Sequence, residues 1–326
     1  MEITAAALLH SARASADRLS LGADDRWLAS LQLAHVGGLA LVTRAAALGS
    51  AVVAADRFDA MAFNQLIDAG AVTHASLVPV MLRRALETRG DQPAPSTLAA
   101  VLLGGAHTPA ALVGKALAAG FPVALTYGMT ETTSQAATAP PHLVRVDPAT
   151  VGRPLDGVEI RVAEDGELLV RGPTLARGYR DDPEPLTDEA GWYHTGDLGT
   201  RDAAGHVRVT GRKSHRIVTG GLTVDPGEIE AVLRGAEGVG DCIVVGLPDD
   251  QWGERIAAAV VPEPGARLTK PALEAHQAVC LAPGKRVREW RLPASLPQNA
   301  NGKVDRVAVR SLFAVPAPEE EDRVGQ

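Results

Sequence analysis

The sequence predicts an α/β protein: a mostly parallel sheet core with an antiparallel β subdomain, followed by a small mobile α+β C-terminal domain. Three observations lead there. Up to residue 125, short apolar runs alternate with helical stretches, the pattern of parallel strands joined by covering helices. From residue 151 to 212 the texture changes to short alternating segments broken by turns such as Asp165-Gly166, a hairpin signature. Past residue 212 helices and strands alternate again on a smaller scale.

Taken in order, residues 3–18 form a helix of small apolar residues, with Asp24 and Asp25 in the following turn. Residues 26–33 make a buried strand that runs into a loop at Ala34, His35, Gly37 and Gly38 and then a helix carrying Arg44. A strand at 50–54, a helix at 59–70 and a strand at 72–78 stopped by Pro79 come next. A helix at 80–88 and a strand at 97–103 lead to Gly104, Gly105 and Ala106. The helix at 109–119 has proline near its first turn, where its missing N–H costs nothing. Residues 121–125 (FPVAL) form the fifth strand, and a hydroxyl-rich loop at 126–132 (TYGMTET) follows directly. Strands at 158–162, 167–171, 191–198 and 205–210 build the β subdomain. The last module has helices at 226–234, 271–281 and 304–313, with strands at 241–246 and 256–261. The resulting domains are a core at 1–148, a β subdomain of the same large domain at 149–211, a lid at 212–314 and a disordered acidic tail at 315–326.

Composition narrows the function. A chain of 326 residues exceeds one typical domain, and 46% apolar residues suffice for sizeable cores, built from Ala, Val and Leu because aromatics make up only 3%. A net charge of −7 with no basic stripe argues against nucleic acid as main partner. Cys242 and Cys280 lie far apart with no metal-binding spacing, which reads as a buried, reduced pair. The start of the chain has no secretory signal, and the most apolar region, 36–53, is interrupted by Arg44 and rich in glycine, so it is a poor membrane span. The expectation is a cytoplasmic protein with small-molecule substrates and no membrane or nucleic-acid partner, a homodimer being left open.

The segment at 126–132 carries the first chemistry. Gly128 permits a tight backbone, Thr130 can hold a phosphate oxygen, Glu131 a divalent cation, and Tyr127 offers a flat face to a purine. A loop at a strand's C-terminal end is where open α/β sheets bind ligands. An ordinary polar turn is the competing reading.

Four further segments align with it in order: Gly104-Gly105-Ala106, Thr195-Gly196-Asp197, residues 211–217 (GRKSHRI) and residues 297–303 (PQNANGK). Together the five resemble the adenylate-forming superfamily of acyl-CoA synthetases, peptide-synthetase adenylation domains and luciferases. The resemblance implies that Gly104, Gly105 and Ala106 admit adenine against bare backbone, that Tyr127 stacks on the purine, and that Thr130 contacts the α-phosphate. It implies Mg2+ on Glu131, both ribose hydroxyls on Asp197, and Arg212 near ribose or phosphate. Lys303 would reach the reacting carboxylate and phosphate oxygens, stabilising charge that grows in the transition state. Taken alone, Asp197 could simply end a strand and Lys303 could be a solvated loop lysine. Ser214 and His215 stand where the family has its hinge, commonly acidic or lysine, a departure that bears on how the domains rotate.

Residues 33–39 with Arg44, and residues 76–84, resemble the o-succinylbenzoate–CoA ligases of menaquinone biosynthesis. Such a substrate has two carboxylates, and Arg44 suits the one that does not react because guanidinium binds carboxylate bidentately. His35 would line the pocket near the acyl carboxylate. A surface ion pair for Arg44 and a packed loop position for His35 remain alternatives. The implied activity is an ATP- and Mg2+-dependent acid–thiol ligase that forms an acyl-adenylate and transfers it to coenzyme A. A ligase for another aryl or short acyl acid, and a non-catalytic nucleotide- or acyl-adenylate-binding relative, are the alternatives. The superfamily's Ser/Thr/Gly-rich phosphate loop ending in Pro-Lys has no counterpart in residues 1–326. The core is therefore read as a shortened N-terminal domain, with weak adenylation expected and thioester formation retained.

Overall fold

The computed structural model describes residues 1–55, 57–106, 108–180, 184–299 and 303–314. The chain divides into two compact units, residues 1–209 and 210–326. The expected tail at 315–326 lies outside the described residues, as do Ala300, Asn301 and Gly302 of the segment that ends at Lys303.

The first unit opens with helix α1 (Ala5–Leu19), whose N-cap Thr4 accepts the Ala7 N–H and whose C-cap Ser20 is left-handed. Then come β1 (Arg26–Ala29), α2 (Val36–Leu48), β2 (Ala51–Ala54), α3 (Ala60–Asp68), β3 (His74–Leu77) and α4 (Pro79–Arg89). They are followed by β4 (Ala100–Leu103), α5 (Ala110–Ala118), β5 (Val123–Met129), β6 (Ser134–Ala139), the short α6 (Pro141–Val144) and β7 (Arg153–Pro154). These strands form one sheet of order β2-β1-β3-β4-β5-β6-β7. Pairing is parallel from β2 to β5 and antiparallel for β5–β6 and β6–β7.

Side chains alternate across the strands and so build two cores. Leu28, Val101, Leu103, Val123 and Leu125 pack on one face with Phe63, Ile67, Leu82 and Val113 from α3, α4 and α5. Trp27, Leu102 and Ala124 face the other way, against Leu41 of α2. Each large side chain buried in this way contributes about 1.5–3 kcal/mol. A second, antiparallel sheet of order β11-β10-β9-β8 uses β8 (Glu159–Val162), β9 (Glu167–Arg171), β10 (Tyr193–Arg201) and β11 (Val207–Arg212).

The second unit contains β12 (Ile217–Thr219), β13 (Leu222–Val224), α7 (Pro226–Arg234), β14 (Val239–Asp249), β15 (Gly253–Pro262), α8 (Lys270–Cys280), β16 (Glu289–Arg291) and α9 (Arg306–Ser311). Cys242, Val244, Ala258 and Val260 face Ile229 and Leu233 of α7 and Leu273 of α8. Ile243, Val245 and Ala257 face Val309 of α9 and Phe313. The buried Glu230 carboxylate accepts from Val244 N–H at 3.0 Å and from Arg306 at 2.8 Å, which ties α7, β14 and α9 together.

Two expectations need correction. The fifth strand does not stop at Leu125. It continues to Met129 because β6 pairs with it, Tyr127 opposite Ala137 and Gly128 opposite Gln135, so only residues 130–133 form the reversal. The cysteines are not a buried pair. Cys242 is buried, and burial pushes its thiol up to about 12. Cys280 is exposed, because the buried stripe of α8 runs through Leu273 and Gln277 and continues to Leu281. Among the described residues no helix is long and apolar enough to cross a membrane.

A Cβ added at Gly128 would lie 1.6 Å from the Ser134 carbonyl oxygen. Gly128→Ala is therefore expected to force the β5–β6 reversal apart, at about 3 kcal/mol or more in urea unfolding. An unchanged unfolding midpoint would show that this close approach is dispensable.

Candidate functional site

Of the predicted residues of the first unit, His35, Gly104, Gly105, Ala106, Tyr127, Thr130 and Glu131 lie at or just past the C-terminal ends of β1, β4 and β5, whereas Asp197 is on β10 and Arg44 lies within α2. Gly104 follows β4, and a Cβ there would lie 2.6 Å from Thr126 Cγ2, so packing against β5 already requires glycine. Gly105 has φ +77, a left-handed conformation that glycine adopts without strain, and it is exposed. Ala106 follows, half-buried.

Tyr127 is 8% exposed and packed among Ala136, Ala137, Leu155 and Val170. Its hydroxyl donates to Asp197 Oδ2 at 2.9 Å. A purine would therefore meet only the small surface of the ring left open. Asp197, 6% exposed, sits where β10 loses register against β9 between His194 and Leu198. Gly196 in this irregularity has φ +71 and donates its N–H to Glu167 Oε1 at 2.8 Å, and Thr195 Oγ1 accepts the Asp197 N–H at 3.0 Å. Such bulges re-aim side chains near sites.

The reversal after β5 is strained. Thr133 and Ser134 have φ +51 and +84, two of three non-glycine residues with positive φ among those described. Strain of this kind persists only where surrounding contacts impose it. Here Thr132 Oγ1 accepts the Met129 N–H and donates to the Ser134 carbonyl, while Ser11 of α1 donates to the Thr133 carbonyl at 2.7 Å. The loop presents Thr130 exposed and Glu131 half-buried. Ala176 N–H donates to the Glu131 carbonyl at 2.8 Å, and Tyr179 donates its hydroxyl to Glu131 Oε1 at 2.5 Å. One carboxylate beside an exposed hydroxyl fits Mg2+, which takes one or two carboxylates and completes its shell with phosphate oxygens and water.

His35 is the exposed N-cap of α2 at the same edge and makes no side-chain cap hydrogen bond. A Cβ at Gly38 would lie 2.3 Å from the Gln32 carbonyl oxygen, so bare backbone lets the helix start against the preceding loop. Arg44 lies nine residues further along α2, about 13.5 Å down its axis. It is 4% exposed, not on a surface face. Its guanidinium carbon lies 4.3 Å from the Trp27 ring centroid, and its Nε and Nη1 have no hydrogen-bond partner. Burial lowers its pKa to about 10, leaving it charged at neutral pH.

Arg212 and Lys303 belong to the second unit. Arg212 is exposed at the end of β11, beside a 3-10 turn, Lys213–His215. Lys303 is exposed, with its N–H on Asn299 Oδ1 at 3.1 Å and its carbonyl accepting the Asn299 N–H at 2.8 Å. Burial, then Arg306, Arg212 and Arg310, lower the His215 pKa to about 4.

Sequence reasoning missed Tyr179, Glu167, Ser11 and Trp27. Each acts on a partner distant in the chain, so no local signal in the sequence marks it. A shallow depression lined by Leu98, Ala99, Pro122, His142 and Arg145 lies at the opposite, N-terminal ends of β4 and β5 and holds none of these residues.

This combination, bare glycine backbone, hydroxyls and a carboxylate at the C-terminal ends of parallel strands, is the arrangement with which open α/β sheets bind ligands. The chain belongs to the AMP-binding enzyme family: the family's sequence model matches residues 1–180, and that of the AMP-binding enzyme C-terminal domain matches residues 228–303. It is 38% identical over 322 residues to a probable 2-succinylbenzoate–CoA ligase of Mycobacterium tuberculosis (strain CDC 1551 / Oshkosh), covering 96% of this chain and 80% of that protein. A 2-succinylbenzoate–CoA ligase of Geobacillus sp. (strain WCH70) is 36% identical over 314 residues, 93% of this chain and 64% of the relative. Among solved structures, the o-succinylbenzoate CoA synthetase (MenE) of Bacillus subtilis in complex with the acyl-adenylate intermediate OSB-AMP superposes with a TM-score of 0.84 at 31% identity, covering 94% of this chain and 65% of that one. ATP-bound MatB from Rhodopseudomonas palustris gives 0.88 at 27% identity, over 95% and 64%. The chain thus spans just under two thirds of the length of several of these relatives.

His215 gives a test of the second unit. Its neutral form is favoured on folding, so between pH 6.5 and about 4 the unfolded chain binds more protons than the folded one. Stability of this unit should fall as pH drops through that window, and His215→Asn should flatten part of the slope in thermal melts. A parallel slope in both proteins would contradict this.

Proposed function

We propose that the chain is an ATP-dependent acid–CoA ligase of the AMP-binding family that acts on o-succinylbenzoate through an acyl-adenylate. One observation carries the choice of substrate: the buried guanidinium of Arg44, with Nε and Nη1 unsatisfied. Buried donors are nearly always paired, and an uncompensated buried cation is costly, so the site calls for an anion supplied by a ligand. The second carboxylate of a dicarboxylic acid is such an anion. The 2-succinylbenzoate–CoA ligases at 36% and 38% identity support the same acid.

In this reading Gly104, Gly105 and Ala106 admit the adenine, the open surface of Tyr127 touches it, and Asp197 accepts from the ribose hydroxyls. Thr130 donates to the α-phosphate. Mg2+ on Glu131 would offset phosphate charge. His35 faces the reacting carboxylate, and Arg212 contacts ribose or phosphate. Lys303 places a cation on the oxygens where charge develops, the commonest large contribution to such catalysis. Coenzyme A is the acceptor thiol. The protein is read as cytoplasmic, and a homodimer stays compatible with this scheme.

The two half-reactions are best measured separately: pyrophosphate release from ATP, Mg2+ and o-succinylbenzoate, and thioester formation from preformed acyl-adenylate and coenzyme A. Lys303→Ala is expected to cut the first by about a hundredfold or more, as loss of one transition-state contact does, and to spare the second. Arg44→Ala should lose use of o-succinylbenzoate while keeping that of a monocarboxylic analogue. Equal use of the two acids by the wild type would refute the assignment of substrate.

A further inference from the structure

Arg44 does not stand alone in the layer between α2 and the sheet. Trp27 of β1 and His74 of β3 are register partners, and their rings stack with centroids 5.0 Å apart and 24° between planes. The indole N–H donates to Ser76 Oγ at 3.1 Å, and the Ser76 carbonyl accepts from Ser30 Oγ at 2.5 Å. On its other side His74 Nδ1 lies 2.9 Å from Thr73 Oγ1 and 3.3 Å from Asp25 Oδ1. Burial holds the His74 ring below its ordinary pKa, ahead of the opposing pull of Asp25 and the push of Arg44, so it is neutral beside the cation. Trp27, His74 and Ser76 are 4%, 2% and 6% exposed. The indole therefore cannot turn without breaking a buried hydrogen bond and a ring stack.

We propose that Trp27 is a positioning residue that sets the specificity of this site, holding the Arg44 guanidinium against its ring so that Nε and Nη1 are left without a protein partner for a ligand carboxylate to take. The chemistry favours a ring for this task. A carboxylate or carbonyl partner would occupy the N–H groups of Arg44, whereas an aromatic face attracts the guanidinium through its plane and consumes none of them. Ser76, by accepting the indole N–H, fixes the tilt of that shelf. The inference rests on the reading of Arg44 as the partner of a second carboxylate.

The test is equilibrium binding, by calorimetry, of o-succinylbenzoate and of its analogue lacking the second carboxylate, to the whole chain and its variants. The wild type should prefer the dicarboxylate. Arg44→Met should abolish the preference. Trp27→Leu should reduce it about tenfold, and Trp27→Phe, which keeps an aromatic face, should retain most of it. The readout is the ratio of the two affinities, because a merely structural defect would weaken both acids alike and leave that ratio unchanged. A folded Trp27→Leu protein with the wild-type preference, alongside an Arg44→Met protein without it, overturns the role of Trp27 and leaves that of Arg44 standing. A wild-type preference that survives Arg44→Met overturns the Arg44 reading itself, and no preference in the wild type overturns both. Should Trp27→Leu melt below the assay temperature, Ser76→Ala decides: a loss of about threefold in the preference supports the shelf, and none overturns it.

Discussion

The first unit depends on one buried hydrogen bond, from the Tyr127 hydroxyl to the Asp197 carboxylate. The phenol belongs to β5 of the largely parallel sheet and the carboxylate to β10 of the antiparallel one, so this bond adds a polar tie to the apolar packing of Tyr127 against Val170 that couples the two sheets. Both residues are under a tenth exposed, and a hydrogen bond to a charged group in such surroundings is worth more than one in water. Its geometry rests on two backbone devices. Gly128 lets β6 close on β5 so that the strand carries Tyr127 inward. The irregularity at Gly196, held by Glu167, turns Asp197 toward it. Loss of either device would leave a buried carboxylate short of a partner, which costs more than the bond itself contributes.

The strained reversal is the counterpart of this rigidity. Two consecutive left-handed residues, Thr133 and Ser134, are tolerated because Thr132 bridges the turn and Ser11 of α1 holds its outer carbonyl. The loop is thereby fixed by groups that are not offered to ligand, while Thr130 and Glu131 remain accessible. Rigid support around a few exposed polar groups is what precise positioning of phosphate and metal demands.

How much of this was legible in the sequence follows from where each signal is stored. The strands of the parallel core were readable because they are short, largely apolar runs set between helices, β4 being apolar and buried at every position. β6 was not. Its sequence, SQAATA, has low strand propensity, and it is a strand because β5 and β7 pair with it. The same holds at the site. Glycines, Asp197, Glu131 and Lys303 stand in short motifs that announce themselves. Their supporting residues are known only through distance in the chain: Tyr179 reaches Glu131 across 48 positions, Glu167 reaches Gly196 across 29, and Ser11 reaches Thr133 across 122. No local pattern encodes such pairs.

Arg44 shows the difference most sharply. A lone cation in an otherwise apolar helix reads equally well as a surface residue or as a ligand contact, and only burial separates the two. Burial also explains why the residue is arginine. Desolvation alone brings its pKa down to about 10, which still leaves a full charge at neutral pH. A lysine starts from about 10.4 and, in a dry site, can fall by several units to values below 7. It would shed its proton and with it the reason for an anion to bind. A guanidinium can be buried against Trp27 beside a neutral histidine and still remain a cation, and that permanence is what the proposed carboxylate-selective role requires.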